Sequence, residues 1–251
     1  MNPFLNLAPS HRIVSNDAVP SEVLYVTERS AWGQLGYETV SNAFRSVFPV
    51  FWSPGMPKPD LSGWQGDWII SFKSDLILSR DILERAKKGA INFHPSPPKY
   101  RGIGGYWWAL HNGDDAFGVT CHHMNERIDH GEIIKTESFP IWPGETVESL
   151  KHRAALNSLA LLNKTLDAIL SGKPLVPCGA KWEPHLYTSQ ELALAQSAHR
   201  KNVNSYATQS NITPFDARPA LDALEAIIKE DVLIPEKQGK KHVAANDRRV
   251  A

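Results

Sequence analysis

A chain of 251 residues, 42% of them hydrophobic, can hold one sizeable α/β domain and a small appendage around a packed core. Its 27 basic and 27 acidic residues cancel, which leaves no electrostatic footprint of the sort a tRNA- or DNA-binding surface needs, so no nucleic-acid partner is expected. The opening stretch Met1 to Leu7 lacks a basic region followed by an apolar run, and no span approaches the ~18 consecutive apolar residues of a membrane helix; the reading is cytoplasmic, without membrane insertion.

Residues 1–20 are irregular and polar and read as an N-terminal arm. A core strand is predicted over Glu22 to Thr27, then a helix from about Trp32 to Val47 with Leu35, Val40, Phe44 and Val47 at helical spacing and Pro49 closing it. Val50 to Trp52 reads as a short strand, the Pro- and Gly-rich stretch from Ser53 to Gly66 as a loop, and Trp68 to Phe72 as a strand covered on both faces, as in a parallel sheet. Ser79 is placed as the cap of a helix carrying Ile82, Leu83 and Ala86 that ends at Gly89, and a strand over Ala90 to His94 follows at once. A helix from Gly105 to His111 and strands over Phe117 to Met124 and Ile133 to Phe139 come next.

Thr146 can cap a long helix through Leu170, with Leu150, Ala154, Leu156, Leu159, Leu162 and Leu166 on its apolar face. The alternation of strands and helices over residues 21–172 predicts an α/β, Rossmann-like domain with a mainly parallel sheet. Residues 173–236 read as a small C-terminal subdomain for dimer or substrate contacts, with a short hairpin or extended segment over Leu175 to Trp182 and short helices over Ser189 to Ala195 and Pro219 to Lys229. Residues 237–251 form a basic tail with no apolar face to bury.

The informative residues lie between 92 and 131. Side chains alternate along Ala90 to His94, so Ile91 and Phe93 face one way while Asn92 and His94 project together the other way. Pro95 keeps His94 extended and the Pro97-Pro98 pair stiffens the exit, which puts the imidazole at a strand's carboxyl end, where open α/β sheets place their ligands. A second piece, Glu126 to Ile134, contains Asp129-His130-Gly131. Cys121 and Cys178 lie far apart and belong to no metal or redox motif, and His122 and His123 point to opposite faces of a strand, so no metal site is expected.

The Asn92-x-His94 strand end, the following Tyr100-Arg101-Gly102 and the later Asp129-x-Gly131 resemble the folate-dependent formyltransferase family from about Trp68 to Pro140. The compact His94 to Gly102 segment is most similar to the branch that N-formylates nucleotide-linked amino sugars. The resemblance implies 10-formyltetrahydrofolate as formyl donor, a nucleotide-linked 4-amino-4,6-dideoxysugar such as GDP-perosamine as acceptor, a homodimer, and a place in O-antigen or other surface polysaccharide synthesis. It assigns catalysis to Asn92, His94 and Asp129. It places Leu76 and Leu78 against the pterin, with Met124, Asn125 and Glu126 on the opposite wall.

Moving a formyl group from a folate nitrogen to an amine needs a donor for an oxyanion, a base for the attacking amine and an acid for the departing nitrogen. An Asn92 amide can serve the oxyanion, and an imidazole titrating near 6.5 suits the base. Asp129 can orient His94 or relay a proton. Taken singly, Asn92 and Asp129 read as turn formers and His94 as a satisfied strand-end histidine; their joint spacing favours catalysis.

Thr27 is followed by Glu28-Arg29-Ser30, without the Gly-rich phosphate loop expected of a purine-route formyltransferase. The stretch after Leu170 is too short and too neutral for the tRNA-directed branch. The alternatives are a formyltransferase or hydrolase acting on another acceptor, and a catalytically silent folate or nucleotide-sugar binding protein on the same fold, against which the presence of all three polar residues argues.

Overall fold

The computed structural model describes residues 21–210, with side chains described to residue 200. The expected N-terminal arm, the helix over Pro219 to Lys229, the basic tail and all of the C-terminal subdomain beyond 210 lie outside the described residues. The first strand, β1 (Glu22–Thr27), leads to α1 (Ala31–Ala43), β2 (Ser46–Phe51) and β3 (Gly66–Phe72). A single-turn α2 (Arg80–Leu83) precedes β4 (Ala86–His94), followed by β5 (Arg101–Gly102), α3 (Gly105–His111), β6 (Ala116–His123) and β7 (Ile133–Pro140). The long α4 (Val147–Leu170), β8 (Leu186–Tyr187) and α5 (Ser189–Ser210) complete the described chain.

Six strands form one sheet in the order β2-β1-β3-β4-β6-β7. The first four run parallel, and β6 and β7 are each antiparallel to their predecessor in the sheet, so the sheet is mainly parallel, as the sequence predicts. Strand order reverses beside β1, with β2 on one side and β3 on the other, which opens a crevice at the carboxyl ends of β1 and β3. The α1 and α4 face of the sheet buries Tyr25, Ile70, Phe72, Ile91, Leu150, Leu161 and Leu162. The other face buries Leu24, Val26, Ile69, Leu76 and Leu78 under the Trp52 and Trp64 loops.

Several boundaries differ from the sequence reading. The first helix starts at Ala31, where the Ser30 hydroxyl accepts from Gly33 N–H at 3.1 Å, and stops at Ala43. Phe44 is extended and buried, and Val47 pairs with Val23 in β2 rather than continuing the helix. Pro49 sits within that strand, which is tolerable because β2 is an edge of the sheet and one side of it needs no ladder donor. Gly89 does not end a helix but lies inside β4, which starts at Ala86 because it is already pairing with β3 there. Leu156 is exposed, off the buried stripe of α4. Thr146 and Ser149 form a capping box at the start of α4, where the sequence placed the cap. Leu175 to Trp182 contains no regular strand; the extended pairing comes later, where β8 joins β5, and α5 continues past Ala195 to Ser210.

Candidate active site

Parallel pairing in the register Ser71↔Asn92 and Phe72↔Phe93 brings the ends of β3 and β4 out together. Glu28 after β1, Lys73 after β3 and His94 at the end of β4 therefore open into one cavity of about 560 Å³. Asn92, His94 and Asp129 all line it, as do Leu76, Leu78, Met124 and Asn125. Glu126 is the exception among the expected lining residues: its side chain is exposed and drawn to Arg80, 2.7 Å away, at the surface.

Asn92 and His94 share the face that strand alternation predicts. His94 Nε2 lies 2.8 Å from the Tyr100 carbonyl oxygen. A carbonyl only accepts, so Nε2 carries the hydrogen and the basic nitrogen of the neutral ring is Nδ1. That atom is 3.4 Å from Asp129 Oδ2. Asn92 Nδ2 lies 3.0 Å from His122 Nε2, while His122 Nδ1 lies 2.7 Å from the His123 carbonyl. The same reasoning puts the hydrogen on His122 Nδ1 and leaves its Nε2 to accept from Asn92, with Asp129 Oδ1 3.6 Å away. One Asn92 N–H is thereby engaged, which fixes the amide plane, and the second is free of that contact. The four side chains form one polar network.

Asp129 occupies a left-handed backbone conformation, φ 42, on the loop between β6 and β7. Its burial opposes ionisation, but the positive charge of His94, and then of His122, in their protonated forms and the Gly102 N–H donating to Oδ2 at 2.8 Å outweigh that cost and hold its pKa at about 2. The carboxylate is therefore charged at neutral pH. Each residue of Tyr100-Arg101-Gly102 serves this arrangement. Tyr100 supplies the carbonyl that fixes the His94 tautomer. Arg101 donates through Nε to the Asp129 carbonyl at 2.7 Å and through Nη2 to that of Ile128 at 3.1 Å, clamping the loop. Gly102, at φ 82, lies so close to the Tyr187 carbonyl that a Cβ would collide with it.

Leu76 and Leu78 belong to the buried core and to the cavity wall at once. Across from them, Asn125 Oδ1 accepts from Arg127 N–H at 3.0 Å. Towards β1 the cavity is lined by Lys73, Glu28, Asp75 and Tyr106. Lys73 has its ammonium 3.3 Å from Glu28 and its backbone at φ 48, and burial lowers its pKa. Burial, and then the nearby Glu28, raises that of Asp75. Of the adjacent tryptophans, Trp107 lines the cavity and Trp108 packs against the core.

His122 is the member of the network that sequence reasoning missed. It stands opposite Asn92 across the β4–β6 ladder, and that neighbourhood depends on strand order rather than on any local motif. Its separation from His123 onto opposite faces is as expected, since His123 Nε2 bonds to the Leu175 carbonyl instead. Among the described residues no group of three or more His, Cys, Asp or Glu could hold a metal ion, and no helix is long and apolar enough to cross a membrane.

Residues 60–166 match the formyl transferase family model. The formyl transferase match contains Asn92, His94, His122 and Asp129. The chain is 44% identical over 114 residues to a bifunctional polymyxin resistance protein, ArnA, of Wigglesworthia glossinidia brevipalpis, covering 45% of this chain and 17% of that protein. It spans less than half the length of the first curated relatives it matches. In fold, it is similar to the N-formyltransferase of Helicobacter canadensis solved with folinic acid and dTDP-3-aminofucose, at TM-score 0.55 and 21% identity over 67% of this chain and 71% of that one. It is likewise similar to the formyltransferase PseJ of Anoxybacillus kamchatkensis solved with UDP-4,6-dideoxy-4-formamido-L-AltNAc and tetrahydrofolate, at TM-score 0.54 and 24% identity over 69% and 90%.

Proposed function

We propose that the protein transfers the formyl group of 10-formyltetrahydrofolate to the amino group of a nucleotide-linked 4-amino-4,6-dideoxysugar, with GDP-perosamine as the acceptor, in O-antigen synthesis. The observation that carries this reading is the convergence of Asn92, His94 and Asp129 on one cavity inside the span that matches formyl transferases. The ligands of the two similar structures, a folate together with a nucleotide-linked sugar in each, agree with that pairing of donor and acceptor. The compact His94 to Gly102 segment points to the nucleotide-sugar branch, within which GDP-perosamine is the acceptor that the resemblance implies.

The lining fits these substrates. Leu76, Leu78 and Met124 offer apolar walls to a flat pterin, with the polar Asn125 beside them, while Lys73, Glu28 and Asp75 give the β1 side a charged lining suited to a polar acceptor. In this account the free N–H of Asn92 faces the oxygen of the formyl carbon and stabilises the charge that grows there as the amine adds. His94 takes the amine proton at Nδ1, because Nε2 is committed to the Tyr100 carbonyl. Asp129 stabilises the resulting imidazolium from 3.4 Å and lies on the route by which that proton returns to the departing nitrogen.

The test is an incubation of purified protein with 10-formyltetrahydrofolate and a panel of GDP-, dTDP- and UDP-linked amino sugars, following tetrahydrofolate release. Release dependent on GDP-perosamine is the expected result. Release dependent on a dTDP- or UDP-linked sugar instead would overturn the acceptor, and release without any sugar would overturn the transfer.

A further inference from the structure

Trp182 lies outside residues 60–166 and outside the cavity wall, yet it touches both histidines of the polar network and the loop that carries Asp129. Its ring is 5.8 Å from that of His94 at 66° and 5.0 Å from that of His122 at 90°, both edge-to-face. Its Nε1–H donates to the Gly131 carbonyl at 2.7 Å, two residues beyond Asp129. One rigid side chain thus braces both imidazoles and bonds the loop that carries the carboxylate.

The chain around Trp182 is itself fixed. Arg101 Nη1 donates to the carbonyls of Glu183 at 3.3 Å and Pro184 at 3.1 Å, while its other nitrogens hold Ile128 and Asp129. The guanidinium therefore ties the Trp182 segment directly to the Asp129 loop. Gly131 completes the fit: a Cβ there would collide with the His123 carbonyl, so the loop lies flat against β6 and presents its own carbonyl to the indole.

We propose that Trp182 is a positioning residue for the proton-transfer network, setting the rotation of His94 and His122 relative to Asp129 without touching either substrate. Perpendicular ring contacts limit how far an imidazole can turn and favour one ring orientation over others. The His94 Nδ1 to Asp129 contact is already long at 3.4 Å, so a small rotation of the ring would break it. Substrate binding would be spared, because Trp182 is not among the residues that line the cavity.

The inference rests on the formyl-transfer reading, and its test has one arm that does not. Trp182→Leu removes both the ring contacts and the bond to Gly131, whereas Trp182→Phe keeps a ring and loses only the bond. The expected result is a kcat lowered by at least about tenfold in W182L with both KM values within about twofold, and by only a few-fold in W182F, the pattern of misplaced rather than missing chemistry. A W182L kcat within about twofold of wild type, or a KM rise at unchanged kcat, would overturn the proposal. The second arm needs no turnover and is read on wild type and W182F: a phenyl ring shields its neighbours less than the indole it replaces, so the ring-proton NMR resonances of His94 and His122 are expected to move between the two proteins while those of His199 stay. Unmoved His94 and His122 resonances would overturn the bracing contact, even if W182L does not fold and the acceptor proves to be another compound.

Discussion

His94 Nε2 is held 2.8 Å from the carbonyl oxygen of Tyr100, so the basic nitrogen of the ring is the one that faces Asp129. The strand places the ring, the turn after Pro95 to Pro98 returns Tyr100 to it, and the tautomer follows without any further group. Asp129 then meets an Nδ1 that is ready to gain a proton rather than one that already carries it.

Replacing His94 by Asn removes that base while leaving the leucine and Met124 walls in place. Steady-state kinetics should give a kcat at least about a hundredfold lower, within the range for loss of a general base, while calorimetric binding of tetrahydrofolate changes little. Wild-type turnover in H94N would remove His94 from the mechanism.

Asp129 gives the stability a pH signature. Its folded pKa is depressed to about 2, so its contribution is fully present above the unfolded value near 3.9 and is lost as pH falls through about 2. Urea denaturation of wild type should lose on the order of 2 kcal/mol more than Asp129→Asn between about pH 5 and pH 2. Parallel stability curves for the two proteins would contradict this.

Gly102→Ala puts a Cβ against the Tyr187 carbonyl at a positive φ and disturbs the N–H that bonds Asp129. The expected cost is roughly 1–3 kcal/mol in denaturant unfolding, together with a fall in kcat; an unchanged midpoint would show that β5 and β8 can separate freely.

Leu76→Ala tests the double role of a residue that is both core and cavity wall. A loss of about 2–5 kcal/mol is expected from the cavity left in the second core, accompanied by a raised KM for the folate and a smaller change in kcat. A stability loss with an unchanged folate KM would restrict Leu76 to packing.

Much of this site is legible along the chain because its parts are local. Asn92 and His94 share a face by strand alternation, Pro95 fixes the exit, and Thr146 marks the start of α4 by its side chain. What depends on strand order is not legible. His122 meets Asn92 only because β6 lies beside β4, and Trp182 reaches the histidines through a segment with no regular structure of its own. Glu126 misleads for the converse reason: it sits between residues that line the cavity, but Arg80, 46 positions earlier, draws its side chain outward. The early end of α1 is similar, since Phe44 and Val47 fit a helical period and are claimed instead by the core and by pairing with β1.

The most direct test of formyl transfer at this site is to supply 10-formyltetrahydrofolate labelled with carbon-13 in the formyl group, together with GDP-perosamine, and to weigh the nucleotide sugar by mass spectrometry. The account predicts a product heavier by one labelled formyl group on the sugar nitrogen, formed by wild type and strongly slowed in H94N. Label recovered only as formate, with the sugar unchanged, would contradict it.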